Sequence, residues 1–403
     1  MWPVVLALFF FQAADPLADG VKALDAGKYE AALGSFSKAV AADPKDFAAH
    51  FHMALAYSMM NRDAEGIAAY RKTLELQPGL FEAELNCGIL LLRQKDPAEA
   101  LPLLEHAVTQ KPAEFRPRFY LAEAQFQTGA FDKAVEGYER ALELDRKSAE
   151  AEFGLARALA RQNQLDAAGL HYRKAAELDP AYRDTLLELA SLYERNRQPA
   201  EAAAIYREFP ENAAAQERLG KLMLDDRQYT DAVPRLEAAF AADASQANRT
   251  ALAAAYVFTK QLDKAIPLLE AAVAAEPANY DLRMMYARAL RDRKQFTPAG
   301  EQFLQAAKLK PSEPATWNEL GSMLYLTGSL PQALTAFDRA RDLGDNTAGN
   351  WFLRAIILDK LKQAKPALES YQRFLAMSQG KNPDQEFQAR QRSRIIQREL
   401  EKR

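Results

Sequence analysis

A 34-residue pattern constrains this chain more than any other feature of its sequence. The pattern is clearest in residues 115–148, where small and apolar residues recur at helical spacing on both sides of Gly129. The same kinds of residue return 34 positions upstream and 34 positions downstream. A fixed period of this length is typical of stacked helical repeats, in which each repeat is one supersecondary unit.

Each unit has the pattern of two helices joined by a tight turn. Gly129 stands where the first helix would end, because glycine adopts the left-handed capping conformation at little cost. Two helices with so short a connection must lie antiparallel. Small residues at Ala122 and Ala134 would let the two backbones approach closely. One such pair cannot bury its own apolar face, so each unit needs neighbours.

The pattern persists along nearly the whole chain and resembles the tetratricopeptide repeat (TPR) family. Three successive units carry, at corresponding positions, Gly88, Leu91, Ala100, Leu104 and Ala107, then Ala122, Gln125, Ala134, Tyr138 and Ala141, then Ala156, Leu159, Ala168, Tyr172 and Ala175. About eleven units of this kind can be counted. The resemblance implies an all-α fold, namely a right-handed superhelical solenoid of antiparallel helix pairs.

The period breaks once, near Phe209 and Pro210, where the next unit begins four residues early. We therefore assign residues 14–212 to repeats one to six, with the sixth shortened. Residues 213–380 then contain repeats seven to eleven.

Residues 381–403 leave the pattern and are expected to form a capping helix. An open array needs a terminal cap with a polar outer face. The segment is rich in Arg, Gln and Glu, and it can place a few apolar residues in one stripe. Those residues are Phe387, Ile395, Ile396 and Leu400.

The N-terminus carries an apolar leader, residues 1–13, which we interpret as a signal peptide. Its run WPVVLALFFF is as long as a signal-peptide core and far shorter than the ~20 residues that span a bilayer, so no transmembrane span is expected. Ala13 and Ala14 offer small residues for cleavage, although no Lys or Arg precedes the run. Two alternatives stay open: the segment is an uncleaved membrane anchor, or it is an apolar arm that packs on the first repeat. Export to the periplasm or the medium is the favoured location, and a cytoplasmic or peripherally membrane-attached protein is the alternative.

Composition excludes some classes of function. The net charge of -3 argues against a general nucleic-acid binder, which would carry a basic surface. Cys87 is the only cysteine, so no intramolecular disulfide can form, and its position in a packing slot favours a buried apolar role.

No group of residues in the sequence has the spacing of a catalytic, cofactor or metal site. The four histidines are His50, His52, His106 and His171, spread over three repeats, and His50 and His52 would point to different sides of one helix. No phosphate-binding loop, dinucleotide fingerprint or nucleophile elbow is present. The repeats also use almost the whole chain, so we expect no enzyme, no cofactor and no metal.

The TPR resemblance implies that the first helices line a concave face that binds peptides or helices of partner proteins. The apolar candidates for this groove are Phe51, Leu55, Met59, Leu85, Ile89, Phe119 and Phe126. The basic candidates are Arg157, Arg161, Arg195, Lys221, Arg288 and Arg291. An apolar groove followed by a more basic middle suits an extended segment with apolar anchors and acidic residues. The alternative is that the aromatic residues pack between neighbouring first helices.

The sequence thus predicts a non-catalytic scaffold that binds a partner protein or peptide in its groove. A regulatory or substrate-recruiting subunit of an enzyme complex is one alternative, and a self-associating structural protein is another. The partner's identity and the oligomeric state stay open, because a repeat fold by itself does not imply one function.

Overall fold

The computed structural model describes residues 15–401, and the leader predicted at residues 1–13 lies outside this range. Within the described residues, the regular elements are helices and no strand occurs. The chain divides into two compact units, one ending at Ile205 and the other beginning at Tyr206. Helices packed in consecutive antiparallel pairs fill both units, as the sequence predicts.

The first unit contains six helix pairs. Its helices are α1 (Pro16–Asp25), α2 (Tyr29–Ala42), α3 (Phe47–Met59), α4 (Asp63–Leu76), α5 (Phe81–Arg93), α6 (Pro97–Gln110), α7 (Phe115–Gln127), α8 (Phe131–Leu144), α9 (Ala149–Arg161), α10 (Leu165–Leu178), α11 (Leu186–Arg195) and α12 (Pro199–Tyr206). A 3-10 turn over Pro180–Thr185 precedes α11.

The second unit contains five helix pairs and one further helix. Its helices are α13 (Ala213–Asp225), α14 (Tyr229–Ala242), α15 (Gln246–Phe258), α16 (Leu262–Ala275), α17 (Tyr280–Asp292), α18 (Phe296–Leu309), α19 (Pro314–Leu326), α20 (Leu330–Asp342), α21 (Ala348–Lys360), α22 (Ala364–Ser378) and α23 (Pro383–Glu401). Odd-numbered helices up to α21 are the first helices of their repeats, and even-numbered helices are the second.

A large residue on each second helix packs over a small residue on its first helix. The large residues are Phe36, Tyr70, Leu104, Tyr138, Tyr172 and Tyr206 on α2 to α12, and Leu236, Leu269, Phe303, Phe337 and Tyr371 on α14 to α22, each at most 3% exposed. The residue sixteen positions earlier is always Gly or Ala. A Cβ added to Gly88 would lie 2.7 Å from Cγ of Leu104. The small residue is therefore needed so that the large one can fill the space between the two helices.

A left-handed residue closes the turn between the two helices of every repeat. These residues are Gly27, Asn61, Lys95, Gly129, Asn163, Arg197, Arg227, Lys260, Lys294, Gly328 and Lys362. In the fourth repeat, Gly129 has φ 82°, and the next residue, Ala130, donates its backbone N–H to the Gln125 carbonyl at 2.8 Å. This is the helix-ending arrangement predicted for Gly129. Only three of the eleven positions are glycine. The turn therefore also forms with residues whose Cβ makes the left-handed conformation unfavourable.

Side chains near the start of the first helices hold the loops between repeats. Arg118 Nε donates to the Pro112 carbonyl at 2.6 Å, and a guanidinium nitrogen of Arg283 donates to the Pro277 carbonyl at 2.7 Å. The indole N–H of Trp317 donates in the same way to the carbonyl of Pro311, at 3.0 Å. In each case the donor follows the acceptor by six residues. The loop that joins two repeats is therefore closed by a hydrogen bond between residues that are near each other in the sequence.

The break in the repeat period shortens the second helix of repeat six. α12 has only eight residues, where the other second helices have thirteen to fifteen, and Asn212 then caps α13 by accepting the Ala215 N–H. The left-handed residues Arg197 and Arg227 are accordingly closer in sequence than those of other neighbouring repeats. The division between the two compact units falls within α12, after Ile205, and so ahead of the boundary at 212 drawn from the sequence.

α23 covers the last repeat. Ala389 and Ile396 are buried against a cluster that includes Tyr371 and Phe374, and Leu400 packs at its edge. The prediction that four residues form one apolar stripe is wrong for Phe387 and Ile395. Phe387 is 66% exposed and Ile395 is 42% exposed. They lie on the face of α23 that the repeat does not cover.

Candidate partner-binding site

Neighbouring first helices lie side by side in both units. α1 contacts α3, and α5, α7 and α9 contact in turn, while α13, α15 and α17 do the same in the second unit. Each first helix has a face that is turned away from its second helix. Side chains on these faces lie on a shared surface, where the thirteen predicted groove residues are expected.

The apolar candidates on α3 and α5 divide between surface and core. Met59 is 56% exposed, and Leu55 is half-buried. Leu85 is only 4% exposed and belongs to the core, so its assignment to the groove surface is wrong. Phe51 and Ile89 pack at the edge of the same core, with the ring of Phe51 lying edge-on to Tyr70 at 5.8 Å. Packing between helices is their main role.

Phe119 on α7 also packs within the array. Its ring stacks on Phe115 with centroids 5.6 Å apart and lies 5.9 Å from the ring of Tyr138. Phe126, the penultimate residue of α7, is different, because it is half-buried and its ring faces Arg157 of the next repeat.

Arg157 on α9 is held between two aromatic rings and a carboxylate. Its guanidinium lies over the ring of Phe126 at 4.5 Å and over that of Phe153 at 4.9 Å. It donates to Glu123 Oε2 at 2.7 Å, and the hydroxyl of Tyr138 donates to the same oxygen at 2.6 Å. Burial, together with the Glu123 carboxylate, raises the pKa of Tyr138. Arg157 therefore has its charge compensated and its position fixed.

A depression of about 380 Å³ opens beside Arg157. It is lined by Phe126, Arg157, Ala160, Arg161, Tyr172, Glu188, Ser191, Leu192 and Arg195. A second depression of about 550 Å³ adjoins it and shares Phe126 and Arg161; its other lining residues are Leu92, Arg93, Lys95, Pro97, Gln127, Gly129 and Phe131. We call the first one the Phe126–Arg195 depression.

Two cations at the Phe126–Arg195 depression are available to a ligand. Arg161 and Arg195 are both exposed, and within residues 15–401 neither pairs with a carboxylate. The guanidinium of Arg161 lies over the ring of Phe131 at 4.6 Å. On the wall, burial and then the Glu188 carboxylate raise the pKa of Tyr172 to about 12, so its phenol stays protonated at neutral pH.

The basic candidates of the second unit are paired with carboxylates. Lys221 forms an ion pair with Glu217, one turn earlier on α13. Arg291 lies 2.7 Å from Glu319, and Arg288 lies 3.7 Å from the same residue. Their charge is thus compensated within the array.

Four of the thirteen predicted residues therefore meet at one site, namely Phe126, Arg157, Arg161 and Arg195. The sequence interpretation missed Glu123, Tyr172 and Glu188 there. Glu123 could have been found, because it precedes Arg157 by one repeat period of 34 residues.

Among residues 15–401, no group of three or more His, Cys, Asp or Glu side chains is arranged to hold a metal ion. No helix in that range has the length and apolar character needed to cross a membrane.

Comparison with known proteins supports the repeat assignment. Two models described as tetratricopeptide repeat match the chain, one at residues 17–80, 131–183 and 153–217, and the other at 91–138 and 259–324. Together these matches cover more than half of the sequence. Among curated proteins, none matches the chain.

Several solved structures named MamA are similar to part of the chain. MamA 41-end from Desulfovibrio magneticus RS-1 is 25% identical, over 40% of this chain and 92% of that one, with a TM-score of 0.39. MamA AMB-1 is 24% identical, over 42% of this chain and 99% of that one, with a TM-score of 0.40. With eleven helix pairs among residues 15–401 and family matches over more than half of the sequence, the chain belongs to the tetratricopeptide repeat family and has the architecture of a protein-interaction scaffold.

Proposed function

We propose that the first unit binds a partner protein at the Phe126–Arg195 depression. The ligand is an extended segment that carries an apolar side chain next to acidic residues. The observation that carries this proposal is the placement of two exposed, unpaired cations, Arg161 and Arg195, around the apolar surface of Phe126 and Leu192.

The site combines an apolar contact with a charged rim. An apolar anchor would bury surface against Phe126 and Leu192, while carboxylates of the ligand would pair with Arg161 and Arg195. Arg157 supports the site without joining the rim, because Glu123 already compensates its charge. Glu188 lies on the same wall and would repel a carboxylate placed near Tyr172, which sets the direction in which the segment lies. This role requires no catalytic group on the chain.

Charge reversal tests this proposal. The double variant Arg161→Glu and Arg195→Glu, used as bait in affinity capture from the native envelope fraction with mass spectrometry, is expected to lose partners that the unaltered chain retains. Binding to the unaltered chain should also weaken as salt rises, since the rim charges are exposed. Arg146→Glu, in an exposed loop of the same unit, is the matched control. Partners retained equally by all three proteins would contradict the proposal.

We further propose that the chain is exported, on the basis of the apolar run in residues 2–11. Expression of the full chain and of a variant lacking residues 1–14, followed by fractionation and N-terminal sequencing, tests this. Export with cleavage near Ala14 is the expected result. A full-length chain that stays in the cytoplasm would rule the signal peptide out.

A further inference from the structure

The ninth repeat differs from most of the others at one position of its second helix, α18, and from all of them at another. Eight of the eleven second helices carry a branched aliphatic residue at the fifth position, namely Leu33, Ile67, Leu101, Val135, Val233, Ile266, Leu334 and Leu368. α18 has Gly300 there. Repeats five and six have Gly169 and Ala203.

The second departure is at the ninth position. Every other repeat has a polar or charged residue there: Ser37, Arg71, Glu105, Glu139, Arg173, Arg207, Glu237, Glu270, Asp338 and Gln372. α18 has Leu304, which is 41% exposed. The ninth repeat thus removes an aliphatic side chain from the packing position and places another on the surface, one helical turn away.

The missing side chain leaves an open groove. A groove of about 570 Å³ runs between α18, α19 and α20, on the side formed by second helices. Its lining is Phe296, Thr297, Gly300, Glu301, Leu304, Trp317, Leu320, Met323, Leu324, Thr327, Ser329, Gln332, Thr335 and Ala336. We call it the Gly300 groove.

Glycine by itself does not open such a groove. At Gly169, the hydroxyl of Tyr193 lies 3.1 Å from where a Cβ would be and donates to the Leu165 carbonyl, so the space is taken. At Gly300, the nearest atom is Cβ of Met323, at 3.4 Å, which is ordinary contact. Space for a larger side chain is therefore present at Gly300 but is not filled from within the array.

The charge at the groove is negative. Glu301 is the charged residue of the lining; it is exposed, and among the described residues it has neither an ion pair nor a hydrogen bond. An apolar floor with one unpaired carboxylate at its rim complements an apolar group that carries a neighbouring positive charge.

We propose that the Gly300 groove is a second docking site, on the second-helix side, for a peptide segment with a large apolar side chain next to Lys or Arg. The apolar side chain would occupy the space above Gly300, in contact with Leu304 and Trp317, and the cation would pair with Glu301. The Phe126–Arg195 depression has the opposite charge preference, so the two sites select different segments.

The test uses the full chain and two sets of fluorescently labelled twelve-residue peptides in solution. Both sets carry Phe or Leu at the centre; one places Lys and Arg beside it and the other Asp and Glu. The proposal expects the basic set to contain peptides that bind the unaltered chain and that lose at least tenfold in affinity with Gly300→Val and with Glu301→Lys, measured by fluorescence anisotropy.

Gly300→Val is informative because it restores the residue type of the other repeats. A branched residue at this position is compatible with the fold in eight repeats, and valine is a better helix former than glycine. The variant should therefore melt at the same temperature or higher while losing the peptide. Leu309→Glu, an exposed leucine on α18 outside the groove, is the control for surface charge.

The outcomes separate this site from the first one. The double variant Arg161→Glu and Arg195→Glu alters only the first site. Basic peptides that still bind this variant support the proposal. No binding by either peptide set, equal binding to Gly300→Val, or preference for the acidic set at this groove would overturn it.

Discussion

Arg157 and Glu123 are 34 residues apart in the sequence, and their side chains meet at 2.7 Å. Side-chain contacts at about one period also join other neighbouring parts of the array. Arg93 donates to Asn61 at 2.7 Å, and Arg392 on α23 donates to Asp359 at the same distance. Polar pairs of this kind join repeats that are otherwise held by apolar contact.

Removing the carboxylate of Glu123 should destabilise the first unit. Glu123→Ala leaves the Arg157 guanidinium and the Tyr138 hydroxyl without their acceptor, and an unsatisfied buried group costs about 1–3 kcal/mol. Urea denaturation measures the loss. The control is Glu143→Ala, since the Arg140–Glu143 pair is more than 60% exposed on both sides and should contribute less than about 1 kcal/mol. Equal losses in the two variants would argue against the buried-acceptor explanation.

A larger residue at Ala134 should overpack the fourth helix pair. Ala134 is fully buried, and Ala134→Leu is expected to lower the free energy of unfolding by about 1–3 kcal/mol. Thermal melting followed by circular dichroism checks this. Ala41→Leu, at an exposed position of α2, should leave the melting temperature nearly unchanged. An unchanged melting temperature for Ala134→Leu would mean that the helices are not closely packed there.

His52 should make stability fall in mild acid. Burial lowers the pKa of His52 below its ordinary value of 6.5, although Asp25 and Asp46 oppose the shift, and its ring stacks on Phe36 at 5.7 Å. As the pH falls through 6.5, the unfolded chain takes up the proton before the folded one, so the folded state loses stability.

The variant His52→Phe keeps a stacked ring but cannot titrate. Between pH 7.5 and 5.5, the unaltered chain should lose more stability than this variant, as measured by urea denaturation at each pH. Parallel pH dependence for the two proteins would show that His52 does not contribute.

Glycine should stabilise the turns that now hold a left-handed lysine. Lys294 has φ 63°, a conformation that costs roughly 1–2 kcal/mol for a residue with a Cβ. The freedom that glycine has in the unfolded chain offsets part of the gain, so Lys294→Gly is expected to add about 0.5–1 kcal/mol to the free energy of unfolding. Lys38→Gly, inside α2, should instead cost about 1 kcal/mol. Destabilisation by both variants would contradict the backbone argument.

Removing the capping helix should expose the core of the last repeat. Deletion of residues 383–403 uncovers Phe374 and Tyr371, which pack with Ile396 and Ala389 of α23. The truncated chain is expected to aggregate, as seen by sedimentation velocity at rising concentration. Phe387→Ser changes an exposed residue of the same helix and should stay monodisperse if the full chain does. A fully soluble truncated chain would show that the last repeat needs no cover.

The repeat period predicted the fold because the packing of small against large residues takes place within each helix pair. A Gly or Ala such as Ala122 sits at a fixed distance before a large residue such as Tyr138, and this alternation is visible in the sequence. It also located the shortened repeat at Pro210, since four missing residues, about one helical turn, shift every later position.

The candidate site was less predictable because spacing fixes a position on a helix but not what covers it. Leu85 and Phe119 occupy the same position of successive first helices, one period apart, yet the first is buried and the second is only half-buried. Whether a side chain on a first helix is buried depends on the side chains that the next repeat places against it. Likewise, Arg157 has its charge compensated only because the preceding repeat places a glutamate opposite it.

The bonds from Arg118 and Trp317 to loop carbonyls determine where extra chain can enter the array. A segment inserted between Pro112 and Arg118 would separate a donor from its acceptor and loosen the joint between two repeats. In the exposed turn at Asn163, the neighbouring Gln162 side chain donates to Asp132 of the preceding repeat at 2.8 Å, a contact that does not fix the length of the turn. New loops, tags or whole domains are therefore best accepted at the turns inside repeats, while the joints between repeats must keep their length.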